Sequence, residues 1–316
     1  MENKKYKVII DTDPGVDDSA CLIYAFFNDR VDIKLLTSVV GNVGVDLATR
    51  NLLHLMDILK VDIPVAKGAK TAMCRVSQTA EFIHQKDGLG GYIPPSAVSH
   101  ERIKDDAVSA MYKVIMEGDG DIIPVLLGPQ TNIGLLLERH PEVIEKIPKI
   151  VFMGGSPYGH PDFPNHISFN MSCDPESFQK VLDSKIPLVM VPSAVGRKKA
   201  HLDEEYVYGL RKKGDIGELL FHMYSMYWEP DFPDKRVATN DTCALFALNH
   251  PELFTAYPCS VTVNLTDAPG KTLVDFHDGG NVSLVMDCDR PKFLKLLDDE
   301  LEKMKDIKLN VNFSKN

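Results

Sequence analysis

No apolar run in this 316-residue chain reaches the roughly 18 residues that a membrane-crossing helix needs. The first thirty residues carry no leader of basic-then-apolar type, so a chain free in solution is expected. Positive charge is in deficit, with 35 Lys and Arg against 45 Asp and Glu, a formal charge of −10. That balance argues against a nucleic-acid polymer or an anionic membrane as the main partner. Cysteine is sparse and scattered: Cys21, Cys74, Cys173, Cys243, Cys259 and Cys288 show no CxxC spacing. Cys21 and Cys288 sit in apolar segments, as buried free thiols do, and a reducing cytoplasm is the expected setting. Internal repeats and low-complexity tracts are missing too, and tryptophan occurs once, at Trp228. Apolar content of 44% is ordinary and ample for a core.

What the chain does have is concentrated between Lys7 and Ala20. Val8, Ile9 and Ile10 form a short apolar run that predicts a buried strand. Pro14 and Gly15 break it, and the spacing of Ala20, Cys21, Ile23, Tyr24 and Phe27 predicts a helix. Asp11, Asp13, Asp17 and Asp18 crowd this strand-to-helix turn. Such crowding is costly unless a cation, a proton or helix N-terminal amides relieve the repulsion. Ligands of open α/β sheets bind outside the carboxyl ends of the strands, where this turn would lie. With no Cys or His in the cluster, the expected metal is hard and oxygen-loving, Ca²⁺ or Mg²⁺. An EF-hand does not fit, because Val16 stands where that loop needs Gly.

Strands and helices alternate along the rest. Strands are expected near 33–40, at 64–68, 122–127, 149–153 and 187–191, with helices over 47–59, 103–116, from 133 and from Pro175. The βαβαβ opening predicts an α/β fold with a parallel sheet and right-handed crossovers. From Thr71 to Ser99 periodicity vanishes, around His84 and Asp87-Gly88-Leu89-Gly90-Gly91 with Pro94-Pro95. A loop that long suits a flap over a site. A second polar stretch, Ser156 to Asp174, holds His160, Asp162, His166, Ser168 and Asn170. Beyond Asp203 the chain is mainly helical to about Asn249. Phe221 and Tyr224 read as core there, and Trp228, before Glu229-Pro230, suits stacking on a planar ligand. A helix Cys243 to Leu248 follows Thr239-Asn240-Asp241-Thr242. Strands near Val261, Leu273 and 282–286 and a helix over 291–304 close the chain.

These pieces resemble one family. Asp11-Thr-Asp-Pro-Gly-Val-Asp-Asp18 is similar to the signature of the calcium-dependent nucleoside hydrolases of inosine–uridine-preferring type. The likeness continues in order through Val39-Val-Gly-Asn42, His84 with Asp87-Gly-Leu-Gly90, Gly128-Pro129 with Thr131-Asn132, Met153-Gly-Gly155, Phe169-Asn170, Asp174-Pro-Glu176 and Asp241. It implies a single Rossmann-like domain over 1–316, a mostly parallel open sheet flanked by helices. A flap at 71–95 and a helical, aromatic cap near 203–240 would complete it. It implies cleavage of the N-glycosidic bond of a ribonucleoside to ribose and free base, a place in base salvage, and a homodimer or homotetramer. Asp13, Asp18 and Asp241 would hold Ca²⁺ with the Leu127 carbonyl, alongside the ribose 2′- and 3′-hydroxyls and a water that Asp13 deprotonates. Asp17, Asn42 and Asn170 would fix the sugar. Calcium suits this set better than magnesium, since it accepts up to about eight oxygen ligands in flexible geometry. Neighbouring carboxylates suit an oxocarbenium-like transition state.

Two departures stand out. Where the family carries a His before the last metal Asp, as acid for the leaving base, this chain has Asn240. An amide is no acid near neutral pH, so His84, His166 or Tyr227 would have to protonate the base, or Trp228 would ease its departure by stacking. Ser168 and Asp162 replace a Glu and an Asn that would hold the 5′-hydroxyl. A 5′-modified substrate such as a 5′-monophosphate is therefore an alternative, with Arg197, Lys198 or Lys199 nearby. Two readings of other classes stand beside it. Asp11-Thr12-Asp13 also resembles the Mg²⁺-dependent phosphatases of haloacid-dehalogenase type, although Asp17-Asp18 and the later motifs are foreign to them. Asn240 would equally fit a non-catalytic ribose- or nucleoside-binding protein.

Overall fold

The computed structural model describes residues 5–92, 98–161, 163 and 165–309. Pro94, Pro95 and Asp162 lie outside them. Its strands are β1 (Tyr6–Thr12), β2 (Val31–Ser38), β3 (Val65–Lys67), β4 (Ile123–Leu126), β5 (Ile150–Met153), β6 (Leu188–Val191), β7 (Leu202–Asp203), β8 (Arg236–Val237), β9 (Phe254–Val263), β10 (Thr272–Phe276) and β11 (Val282–Cys288). Nine of them form one sheet in the order β10-β9-β11-β6-β5-β4-β1-β2-β3. From β3 across to β11 every neighbouring pair is parallel. Only β9 runs antiparallel, to both β11 and β10. The run β3-β2-β1-β4-β5-β6 is the doubly wound order, whose direction of winding reverses between β1 and β4.

Both faces of this sheet are covered, which is why its strands read as continuous apolar runs rather than alternating ones. Side chains nevertheless alternate between two cores. Val8, Ile10, Leu36, Val125 and Val151 point into one, and Ile9, Leu35, Leu126, Ile150 and Phe152 into the other. The first core is closed by α1 (Val16–Phe27) and α2 (Val45–Leu59). After the short α3 (Glu81–His84), α4 (Ala107–Glu117) and α5 (Thr131–Arg139) close the second. They are joined, past a one-turn α6 (Phe169–Cys173), by α7 (Pro175–Asp183). Then α8 (Glu204–Gly209), α9 (Gly214–Tyr224), α10 (Asn240–Asn249) and α11 (Arg290–Met304) return to the first core. Every residue of α10 is buried, Phe246 meeting Tyr24 and Phe293 edge-on. A helix that is apolar nearly all round belongs in such a place.

Element bounds differ from the sequence expectation where side chains cap the backbone. The helix expected from Ile103 begins at Ala107, because Asp106 accepts the Ser109 N–H at 2.9 Å. The strand expected to reach Val40 ends at Ser38. Val39 still donates to the Thr12 carbonyl at 3.0 Å, so the chain leaves the sheet beside the end of β1. The stretch from 203 to 249 is less helical than expected, since β7 and β8 pair as a small ribbon within it. The two aperiodic loops contain α3 and α6, each too short for periodicity to reveal.

Asp174 shows how a loop is tied to this frame. It caps α7 at the Ser177 N–H (3.1 Å) and also accepts from Met73 N (2.8 Å) and the Thr131 hydroxyl (2.7 Å). Arg75 reinforces the same junction by gripping Glu176 through Nε and Nη2. Asp174→Ala therefore removes a cap and orphans two further donors. We expect a loss of about 3 kcal/mol or more in chemical denaturation.

Candidate active site

The reversal between β1 and β4 leaves a crevice at the carboxyl ends of the strands, and the acidic turn fills it. Pro14 and Gly15 end β1 and start α1, whose first turn carries Asp17 and Asp18. The buried helix α10 starts at the same level and brings Asp241 in its own first turn. Carboxylate oxygens of Asp17, Asp18 and Asp241 lie within 4.8 Å of one another, all three residues buried. Two helix N-termini therefore aim their partial positive charge at one acidic cluster.

Hydrogen-bond donors orient Asp18 and one oxygen of Asp13. Asp18 accepts from the Thr12 hydroxyl (2.6 Å), the Gly15 N–H (3.2 Å) and the Asn42 amide (2.8 Å). Asn42 also donates its backbone N–H to Asp13 Oδ2 at 2.6 Å. Among the described residues, that leaves Asp13 Oδ1 buried without a partner, as are both carboxylate oxygens of Asp241. Gly128, after the β4 end, lets the backbone approach: a Cβ there would lie 2.5 Å from Asp13 Oδ1. Leu127, next to it, turns its carbonyl to the Asn170 amide at 2.5 Å. Asp11 is different. It is buried beneath the cluster, where the Thr37 hydroxyl (2.5 Å) and the Asn132 amide (2.7 Å) both hold Oδ1, so it braces β1, β2 and α5.

Burial raises Asp17 to about 7 and lifts Asp13 and Asp241 well above the usual carboxylate range. The charge of Asp18 is the second cause in each case. Hydrogen bonds from Asn240 and Tyr227 pull Asp17 partly back. Orphaned buried oxygens, an all-oxygen donor set and mutual repulsion fit a hard divalent cation. Asp13, Asp17, Asp18 and Asp241 are the residues that would hold it, with the Leu127 carbonyl beside them. The tight cluster includes Asp17, for which the family resemblance implies contact with the sugar.

Above the cluster opens a cleft of about 570 Å³. Of the residues expected in the site, Asp17, Asn42, His84, Ser168, Asn170, Trp228 and Asn240 all line it. Asp13, Asp18, Leu127 and Asp241 lie buried below, and Asp162 falls outside the described residues. His84 lines the cleft with one ring nitrogen already engaged. Its Nδ1 accepts the Val16 N–H at 3.1 Å, which places the proton of the neutral ring on Nε2. Burial pulls its pKa down to about 4. Its ring stacks on Tyr227 with centroids 5.1 Å apart. His166 faces the Ser193 hydroxyl at 3.1 Å.

Sequence reasoning missed part of the wall. Phe82 and Ile83 on α3 and Met226 opposite form an exposed apolar rim. Arg197 lines the cleft but is held by Glu229 (2.7 Å) and Asp231 (2.6 Å). Of the other two cations named for a 5′-phosphate, neither lines the cleft, and Lys199 faces Asp287 at 3.6 Å. A charge pair 32 residues apart in sequence, such as Arg197 with Glu229, leaves no local signal.

The model of one family, "Inosine-uridine preferring nucleoside hydrolase", matches residues 8–295. The chain belongs to this family. It is 35% identical over 290 residues to "Non-specific ribonucleoside hydrolase RihC" of Klebsiella pneumoniae subsp. pneumoniae, covering 89% of this chain and 93% of the relative. A protein of the same name from Salmonella schwarzengrund is likewise 35% identical, over 292 residues covering 89% and 94%. The solved "Purine-Preferring Ribonucleoside Hydrolase from Gardnerella vaginalis" superposes with a TM-score of 0.87 at 25% identity, covering 96% of this chain and all of that one (100%). The "Inosine-Guanosine Nucleoside Hydrolase (IG-NH)" gives 0.83 at 27%, covering 94% and 98%. A nucleoside hydrolase fold and an N-glycosyl hydrolase are thus what the resemblance rightly implied, and the haloacid-dehalogenase reading falls. Asp11, its nucleophile, is instead the clamped brace beneath the cluster. Among the described residues no helix is long and apolar enough to cross a membrane.

The raised carboxylates set a pH signature. A folded pKa above the unfolded one means the native state binds more protons from about pH 4 to 7, so stability falls as pH rises through that window. In chelator, the melting temperature should drop between about pH 5 and about pH 8. Added Ca²⁺ should raise it more at the higher pH, where the cluster is ionised. Equal calcium shifts at both ends would contradict this electrostatic account.

Proposed function

We propose that this protein hydrolyses the N-glycosidic bond of ribonucleosides with Ca²⁺ as cofactor, releasing ribose and free base. The observation that carries it is the floor of the cleft: three carboxylates converge there, with the free oxygens of Asp13 and Asp241 beneath a mouth lined by rings and amides. Calcium, when bound, would orient the vicinal ribose hydroxyls and make a water more acidic.

This chain's residues supply the rest. The Asn42 N–H occupies one oxygen of Asp13, so Oδ1 is the end that takes a proton from the attacking water. The Asn170 amide nitrogen is spent on the Leu127 carbonyl, which presents its Oδ1 to a sugar hydroxyl. Trp228 and Tyr227 offer faces to the base and Ser168 completes the sugar's surroundings, while Asp17, a member of the carboxylate cluster that also lines the cleft, meets the sugar from the floor. Chain 1–316 acts as one unit in this reading. The readings of a flap at 71–95, of which 93–95 lie outside the described residues, and of a cap at 203–240 are supported by the walls that 80–85 and 226–231 contribute.

A 5′-monophosphate fits this cleft poorly, because Arg197 is already neutralised by two carboxylates. A cytoplasmic setting rests on the dispersed cysteines, four of them buried free thiols: Cys21, Cys173, Cys243 and Cys259. A homo-oligomer belongs to the same proposal, with Tyr257, Leu273 and Phe276 giving apolar surface at the β9–β10 edge.

A ribonucleoside panel with Ca²⁺ tests the activity by chromatography of free base. Ribonucleosides should be cleaved, while 2′-deoxyribonucleosides and 5′-monophosphates should resist. Asp13→Asn should lower kcat by about 10²–10⁴-fold. Absence of base release from every ribonucleoside would reject the enzyme in favour of a nucleoside-binding protein.

A further inference from the structure

Asn240 stands where a leaving-group acid is expected, and its surroundings are specific. Its side chain is 7% exposed and lines the cleft. Nδ2 donates one hydrogen to Asp17 Oδ2 at 3.2 Å. Oδ1 is buried and has no partner among the described residues. Gly196 seals that end: a Cβ on it would lie 2.6 Å from Asn240 Oδ1 and 2.7 Å from Asn240 N. The amide is thus clamped with its oxygen against Gly196 and its nitrogen between Asp17 and the open cleft. A primary amide nitrogen carries two hydrogens, and the second has no acceptor among the described residues. The alternative orientation would set the amide oxygen against the Asp17 carboxylate, oxygen to oxygen.

We infer that the second N–H of Asn240 is a fixed, neutral hydrogen-bond donor to a lone pair on the departing nucleobase, a ring nitrogen or exocyclic oxygen, and that no proton passes through this position. The inference rests on the hydrolase reading and specifies how that site handles its leaving group. The electron pair of the breaking C1′–N bond goes to the base, and the water oxygen bonds C1′. The proton shed by the water goes to Asp13 and on to solvent, and the base regains one from solvent. Asn240 stabilises negative charge that exists only as the bond breaks, as preorganised donors do. Gly196 is a positioning residue for it.

Substrates that differ only in the leaving group read this out. Hypoxanthine and uracil, the bases of inosine and uridine, are poor leaving anions, whereas the nitrophenolate of p-nitrophenyl β-D-ribofuranoside leaves without help. Asn240→Ala should lower kcat/KM for inosine or uridine relative to the nitrophenyl riboside on the order of 10²-fold, the scale of a lost oxyanion donor, with the change in kcat rather than KM. Gly196→Ala, which would push the amide out of place, should shift the same ratio in the same direction. Asn240→Ser, which keeps a donor, should restore part of it. Equal losses on both substrates would show a structural role next to Asp241 and overturn the inference, and so would an unshifted ratio in both variants. A wild-type protein inert on all three substrates would instead defeat the hydrolase reading itself.

Discussion

Repulsion among buried carboxylates is the constraint around which this protein is arranged. Asp13, Asp17, Asp18 and Asp241 are gathered where water cannot screen them, and burial drives three of them toward the protonated state. Such an arrangement survives because other parts offset it. The N-termini of α1 and α10 face it, donors from Thr12, Gly15 and Asn42 hold Asp18 in place, and a cation would complete the balance. The fold's role is to present these parts together, and the doubly wound sheet does so at the one point where its winding reverses.

Two layers of residues can be told apart by what they touch. Asp11, Asn132, Asp174 and Thr131 hold strands, helices and loop stems to one another and do not line the cleft. Asp17, Asn42, Asn170 and Asn240 touch both the carboxylate cluster or its supports and the open cleft. The side chains of the second layer are mostly amides with one end already committed. That commitment fixes which atom faces a substrate, so the cleft's donors and acceptors are set before anything enters it.

Much of this was legible in the sequence, and the reasons are specific. The run Val8–Ile10 followed by Pro14-Gly15 marked the first strand and turn because a strand buried on both faces has no polar alternation to obscure it. Asp13, Asp17 and Asp18 declared themselves through local crowding, while Asp241, some 220 residues away in the chain, needed the family resemblance. The partners that decide roles were not legible. Nothing in the neighbourhood of His84 shows that its ring accepts from Val16, nor does Arg197 announce Glu229 and Asp231. Nor does any local signal in the sequence mark the close approach of Gly196 to Asn240.

The burial of α10 on every side also bears on how the molecule comes into being. The helix that delivers Asp241 is synthesised late, and β11, which seats beside β6, later still. On an emerging nascent chain the opening aspartates stay hydrated and far apart in effect, because the wall that desolvates them does not yet exist. The acidic pocket is therefore complete only once α10, with Asp241 in its first turn, has been synthesised and packed.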